Sequence, residues 1–340
     1  MLINTLYILF IVYFVTIINS NIRGNDMIKN KSHETCSSNA CLQHTATSGK
    51  TGNNEQTNNI KIGILCIITS GFFFSLMTFF VRLSGDLPTM QKAFFRNAVA
   101  AVIAVVMLLR SPEGFKIKKT SWPSLAMRCI CGTSGLICNF YAIDHMNLAD
   151  ANMLNKLSPF FAIIASQFVL GETAGAFEWI LVIIAFSGSL FIIKPSFDIS
   201  FLYGIIGTLG GLGAGVAYSY VRKLGRTGER TPIIVMCFSV FSCIVTMPFM
   251  IVEYKPMSAS QLSCLVLAGV TAAIAQICIT TAYKKAPAKD ISVFDYTQIL
   301  FAALWGFLFL DQIPDVFSCI GYFIIIGCAV IKFLHAKSQK

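Results

Sequence analysis

Charge is what this chain has least of: Asp, Glu, Lys and Arg together make up 12% of its 340 residues, about half the share found in ordinary soluble domains. So few charges cannot cover the surface of a folded chain that is 55% apolar, which excludes a soluble globular class. Histidine is also scarce. His33, His44, His145 and His335 form neither an HExxH pattern nor any other paired metal-ligand spacing, so no metal centre and no cofactor is expected. The glycine run Gly207 to Gly215 lies in an apolar stretch and lacks the Lys-Ser/Thr of a phosphate loop. Without a nucleotide-binding domain, ATP-driven pumping is excluded, leaving ion gradients, exchange or downhill flow. An exposed nucleophile–base pair is missing too. Of the twelve cysteines, Cys66, Cys129, Cys131, Cys138, Cys237, Cys243, Cys264, Cys278, Cys319 and Cys328 fall in or beside apolar runs. They read as small apolar residues rather than a disulfide framework.

The apolar runs that remain are each about 18 to 24 residues long, enough to cross a hydrocarbon core of about 30 Å as a helix. Ten are expected, over 61–82, 91–110, 124–143, 150–170, 177–194, 202–221, 232–252, 260–282, 289–310 and 316–334. The fold class is therefore an all-α integral membrane protein. The net charge of +10 then reads as topology, not as nucleic-acid affinity. Arg110, Lys116, Lys118, Lys119, Arg222, Lys223, Arg226, Arg230, Lys284, Lys285, Lys289, Lys332, Lys337 and Lys340 fall on one side. The other side holds only Arg82, Lys92, Lys194 and Lys255. By the positive-inside rule the basic side is cytoplasmic, with both ends of the ten-span core there, in a cell or inner membrane.

The chain also repeats itself. Shifted by 140 positions, Val81-Arg82 falls on Val221-Arg222, Ile137-Cys138 on Ile277-Cys278, Ala142 on Ala282, and Phe161-Ala162 on Phe301-Ala302, with spans and charged breaks in register. The expected organisation is a first five-helix repeat over 61–194, a second over 202–334 and a short cytoplasmic tail, 335–340. Five spans per copy place the two copies upside down relative to each other, the arrangement that builds secondary transporters around a central site. Residues 1–60 stand apart, as an apolar run to residue 20 and then a polar linker of disordered composition. The run lacks the basic start of a secretory signal. It reads as an extra anchor helix, a poorly formed signal, or a stretch upstream of a start at Met27.

A polar residue inside a span is costly and tends to face a cavity or another helix. Asn152, Asn155, Lys156, Pro159 and Ser166 recur on one face of the fourth span; Ser292, Asp295 and Tyr296 lie on the matching face of the ninth. The repeat sets Asn155 against Asp295 and Lys156 against Tyr296. If the halves meet about a pseudo-two-fold axis, these faces approach near the midplane and Lys156 pairs with Asp295, either as a fixed packing element or as a substrate site. Asn139, Tyr141, Gln276 and Gln298 are further substrate candidates. Arg96, a turn inside the second span, either snorkels to the headgroups or meets a substrate carboxylate. Gly207, Gly211 and Gly215 form a helix-packing stripe.

Phe94-Phe95-Arg96-Asn97, Asn139-Phe140-Tyr141-Ala142 and Ser158-Pro159 leading to Leu170-Gly171-Glu172 resemble motifs of the drug/metabolite transporter superfamily, in its EamA-type branch of ten-helix carriers. Ala282, Gln298 and Leu310-Asp311-Gln312 form a weaker second copy, in which Ile299 replaces Pro159 and Gln312 replaces Glu172. The resemblance implies an inverted fold with a central cavity and rocking alternating access. It also implies a secondary carrier of small polar or zwitterionic metabolites, such as amino acids, nucleosides or S-adenosylmethionine, with the lipid bilayer and a coupling proton or counter-substrate as partners. Lys156 and Arg96 would receive an anionic group and Asp295 a cationic one. The alternatives are a multidrug exporter of the same fold and a polytopic membrane enzyme acting on lipid.

Overall fold

The computed structural model describes residues 48–145, 154–193, 201–309 and 316–338. The expectations for residues 1–47, for Asn152 and for Leu310-Asp311-Gln312 lie outside them. The chain divides into Met1–Asn54 and Glu55–Lys340, and the description below concerns the second unit.

Among the described residues the structure is helical without strands, with one helical element at each expected span. In chain order these are α1 Ser48–Leu83, α2 Thr89–Leu109, α3 Trp122–His145, α4 Ser158–Leu170, α5 Ala176–Ile193, α6 Phe201–Arg226, α7 Thr231–Val252, α8 Ala259–Lys285, α9 and α10 Val316–Ser338. The ninth, α9, starts as the single turn Ala288–Ile291, passes through a 3-10 segment Ser292–Tyr296 and continues as Thr297–Phe309. Six helices are long and apolar enough to cross a membrane, and α4, α5 and α10 have shorter apolar stretches. The ends are set by local chemistry. Gly171, at φ 67°, terminates α4 in the left-handed conformation, and Ser258 with Gln261 forms a capping box at the start of α8.

Three sequence expectations need correction. The polar linker reaching residue 59 is helical from Ser48, because extending an existing helix costs little and Lys285 Nζ holds Asn59 Oδ1 at 3.2 Å. The tail after 334 continues α10 to Ser338 for the same reason. The fourth span is not a continuous helix over 150–170: the chain turns at Lys156-Leu157 and starts α4 afresh at Ser158. Pro159 has no N–H to offer the carbonyl four residues back at Asn155, so the helix cannot run through. The ninth span breaks at the same level in its 3-10 segment, although Ile299 stands where the first copy has proline. At that second break Ser292 Oγ donates to the Ala288 carbonyl and Thr297 Oγ1 to that of Phe294.

Packing between helices repeats across the two halves. α6 lies on α3 and α4, α2 on α7 and α8, α3 on α7, and α5 on α10. Ser70 Oγ on α1 donates to the carbonyl of Ala275 on α8 at 3.0 Å. A shift of both by 140 leads to Gly210 and Gly135, where a Cβ added at Gly210 would stand 3.3 Å from the Gly135 carbonyl. Likewise Gly71 abuts the backbone of Gln298, and its mate Gly211 abuts that of Ser158. The sequence repeat is thus a pseudo-two-fold in the packing. Its axis is marked by Tyr296, whose hydroxyl donates to the carbonyl of Lys156, its own repeat mate, at 3.1 Å; a residue touches its mate only near the axis.

The glycine stripe packs as its spacing implies. A Cβ at Gly215 would lie 2.6 Å from Phe161 Cβ and 2.7 Å from the Ala162 nitrogen; at Gly211 it would lie 2.8 Å from the Leu154 carbonyl. Backbone cannot yield there as a flexible side chain can, so Gly215→Ala is expected to destabilise by about 1–3 kcal/mol, the usual cost of overpacking. Gly327, with nothing within 4 Å of an added Cβ, is the control: its alanine variant should unfold like wild type. Thermal unfolding of purified protein checks this, and equal midpoints for the two variants would refute close approach at Gly215.

Candidate functional site

The break in α4 leaves Lys156 on a turn, and the 3-10 segment of α9 brings Asp295 to it. Lys156 Nζ lies 3.3 Å from Asp295 Oδ2 and donates to Gln298 Oε1 at 2.7 Å. The side chains of the pair are 12% and 11% exposed, and Tyr296 is fully buried. Asn155, half-buried on the same turn, presents its carbonyl toward Gly211. Five of the expected site residues, Asn155, Lys156, Asp295, Tyr296 and Gln298, therefore meet where the two broken spans cross the axis. Within this group the ammonium is met by a carboxylate and an amide oxygen, so its charge is answered from inside the protein.

The unanswered groups lie elsewhere. Among the described residues, the buried side-chain atoms without a hydrogen-bond partner include Nε of Arg96, Nδ2 of Asn97, Nε of Arg128, Oδ1 of Asn139, Oγ of Ser239, Nε2 of Gln276 and Oγ1 of Thr280. They belong to α2, α3, α7 and α8. In this group of helices α2 packs on α3, α7 and α8, and α7 packs also on α3 and α8. Polar atoms buried in this way are ordinarily bonded to something; these have no partner within the protein. Arg96 does not snorkel: its Nε is enclosed, and its guanidinium lies 5.8 Å from the Phe74 ring centre. Arg128 is 2% exposed, with its guanidinium 4.1 Å over the Phe238 ring. Tyr218 stacks on Tyr283 with ring centres 4.5 Å apart.

Tyr141 stands outside both groups. It is 37% exposed and stacks on His145 with ring centres 4.1 Å apart, beside Tyr203. Asn139 and Gln276 fall in the unanswered set. Arg128 and Tyr218 were missed as site residues by sequence reasoning. The available signal was a guanidinium inside the third span with no acid within a turn of it.

One face of the bundle is tied across the repeats by ion pairs. Glu172 Oε1, just after α4, meets Arg222 Nε at 3.0 Å and Arg226 Nη2 at 2.6 Å, both on α6. Lys332 of α10 lies 3.2 Å from Glu178 and 3.4 Å from Asp290. Arg230 reaches back to Glu113 and to the carbonyls of Gly114 and Lys116. All ten cysteines in the described residues are free.

Comparison with known proteins agrees with this architecture. The model of the EamA-like transporter family matches residues 61–194 and again 202–333. The pseudopaline exporter CntI of Pseudomonas aeruginosa is 32% identical over 278 residues, which cover 80% of this chain and 96% of that protein. The riboflavin transporter of Rhizobium johnstonii is 23% identical, over 79% of this chain and 90% of its own length. A solved crystal structure superposes with a TM-score of 0.71 at 16% identity, over 83% of this chain and 99% of the other, a likeness of fold alone.

Proposed function

The chain belongs to the EamA-like transporter family, and from that premise we propose that it is a secondary carrier which moves small polar or zwitterionic metabolites by alternating access at the centre of the bundle. It is a multi-pass membrane transporter, not an enzyme. Its repeats, 61–194 and 202–334, are inverted relative to each other in this reading, and the face carrying the basic loops is cytoplasmic. The observation that carries the proposal is Lys156 paired with Asp295 between two broken spans on the pseudo-two-fold axis. Broken helices crossing at a repeat interface are how transporters of this general kind place polar groups at midplane depth. A zwitterion offers Lys156 a carboxylate and Asp295 an ammonium, so it substitutes for each partner of the pair. A coupling proton or a counter-substrate would compete for the same carboxylate or ammonium.

Thermal unfolding of the purified protein in the presence of amino acids, nucleosides and S-adenosylmethionine tests the substrate class. A ligand at 100 times its dissociation constant stabilises the folded state by about 2.7 kcal/mol. A stabilising solute should then undergo saturable counterflow in proteoliposomes preloaded with it, which separates a carrier from a channel. If none of these solutes raises the unfolding temperature and none is exchanged, the reading fails.

A further inference from the structure

Lys156 is satisfied by Asp295 and Gln298; the part-buried Arg96 and the buried Arg128 are not satisfied by anything comparable. Among the described residues no ion pair reaches Arg96 or Arg128, and Nε of each is enclosed without an acceptor. Arg128 is compensated by the face of Phe238 at 4.1 Å. An aromatic face offsets only part of what burial of a guanidinium costs. Arg96 has still less, a ring at 5.8 Å. Arg96 on α2 and Arg128 on α3 lie on helices that pack on each other and both on α7. Asp295 is engaged by Lys156.

The repeat sharpens the point. The mates of Arg96 and Arg128 under the 140-residue shift are Met236 and Ala268, so neither arginine is part of the duplicated packing scheme. A guanidinium that only held helices together would have an acceptor on the neighbouring helix, as Arg222 has in Glu172 and the Lys284 carbonyl. On α2, α3, α7 and α8 the other unpartnered atoms are Nδ2 of Asn97, Nε2 of Gln276, the hydroxyls of Ser239 and Thr280, and one acceptor, Oδ1 of Asn139. A donor-rich, cationic, enclosed centre matches an acceptor-rich anion.

We propose that Arg96 and Arg128 form an anion-receiving site and that the transported solute is an organic acid carrying at least two carboxylates. This rests on the transport reading above and narrows it, because one carboxylate answers each guanidinium while any amino group on the same solute falls to Asp295. Arg128, the more buried of the two, fixes the solute; Arg96 sets its second acidic group.

The test uses full-length protein in detergent and in proteoliposomes, with acetate, succinate, glutamate, citrate, lysine and glycerol 3-phosphate as probes. Succinate, glutamate or citrate should raise the unfolding temperature more than acetate or lysine and should drive counterflow. In Arg128→Gln and Arg96→Gln the apparent affinity for that acid should fall about 10- to 100-fold, the worth of a charged hydrogen bond, with Arg128→Lys in between. Without ligand, Arg128→Gln should unfold at or above the wild-type temperature, since it removes a buried charge that has no partner. A purely structural arginine would lower it. The proposal is overturned if lysine, acetate or glycerol 3-phosphate stabilises better than the di- and tricarboxylates. It is equally overturned if folded Arg128→Gln and Arg96→Gln bind the acid as wild type does. Counterflow of zwitterions with a single carboxylate alone would keep the carrier reading and sink this one; no counterflow of any solute would sink both.

Discussion

Lys156→Ala is expected to lower the stability of the protein by about 3–5 kcal/mol and to abolish transport, because it strands the Asp295 carboxylate in a site that is 11% exposed. Asp295→Asn should cost a similar amount, leaving the ammonium with only Gln298 Oε1 at 2.7 Å and the backbone carbonyl of position 295 at 3.5 Å. The informative variant is the double, Lys156→Met with Asp295→Asn. Removing both charges also removes both desolvation penalties, and buried pairs replaced by neutral groups of similar volume are often neutral or stabilising. The double variant should therefore recover most of the lost unfolding temperature. Transport should not recover, since the groups proposed to exchange partners with the solute are gone. Unfolding midpoints and counterflow rates on the same preparations separate the two effects. A double variant that is both stable and active at the wild-type rate would reduce the pair to a packing element.

Glu172→Gln is expected to open the face that carries the basic loops. Glu172 Oε1 holds Arg222 and Arg226 at 3.0 and 2.6 Å, and its other oxygen is enclosed without a partner. The carboxylate follows α4 in the first repeat and both arginines are on α6 in the second, so this contact must part if the repeats rock. Arg226 is 48% exposed and contributes little. The Arg222 contact, at 16% and 9% exposure, carries the effect. Its loss, about 3 kcal/mol, exceeds the 1.4 kcal/mol that shifts a two-state population tenfold. With Thr280→Cys introduced into a protein stripped of native cysteines, a membrane-impermeant thiol reagent added from the basic-loop side should react at least about tenfold faster in the Glu172→Gln background. Arg82 is the repeat mate of Arg222, and in the sequence of that copy Gln312 stands in place of Glu172; Arg82→Gln should leave the rate unchanged. Equal rates in the Glu172 variant and its parent would remove the latch.

Much of this was legible from residue types alone. Hydropathy located all ten helices because a span must satisfy its backbone internally and be apolar over a bilayer-length run, which are local requirements. The pairing of Lys156 with Asp295 was legible too, since the 140-residue repeat, taken with a two-fold, leaves little choice about which polar faces meet. The helix break at Lys156 was missed, although Pro159 stood in the first repeat as a local signal for it; nothing local announces the 3-10 segment at Ser292–Tyr296 in the second. Arg128 shows the opposite failure. Its charge was visible near the start of the third span, yet position there reads as snorkelling until the guanidinium is found buried over Phe238. Tyr141 carried the right motif and still lies against His145, away from the central groups.

By itself the sequence determined what each segment must do with its own backbone and side chains: cross the membrane, repeat after 140 residues, and carry a few polar groups within its apolar runs. The tertiary structure alone decided which of those polar groups have partners. That difference is physical. Burial cost and helix formation depend on neighbours within a turn or two, whereas the state of a buried charge depends on whatever the fold brings to hydrogen-bond distance. Lys156 found its acid 139 residues away; Arg96 and Arg128 found none among the described residues.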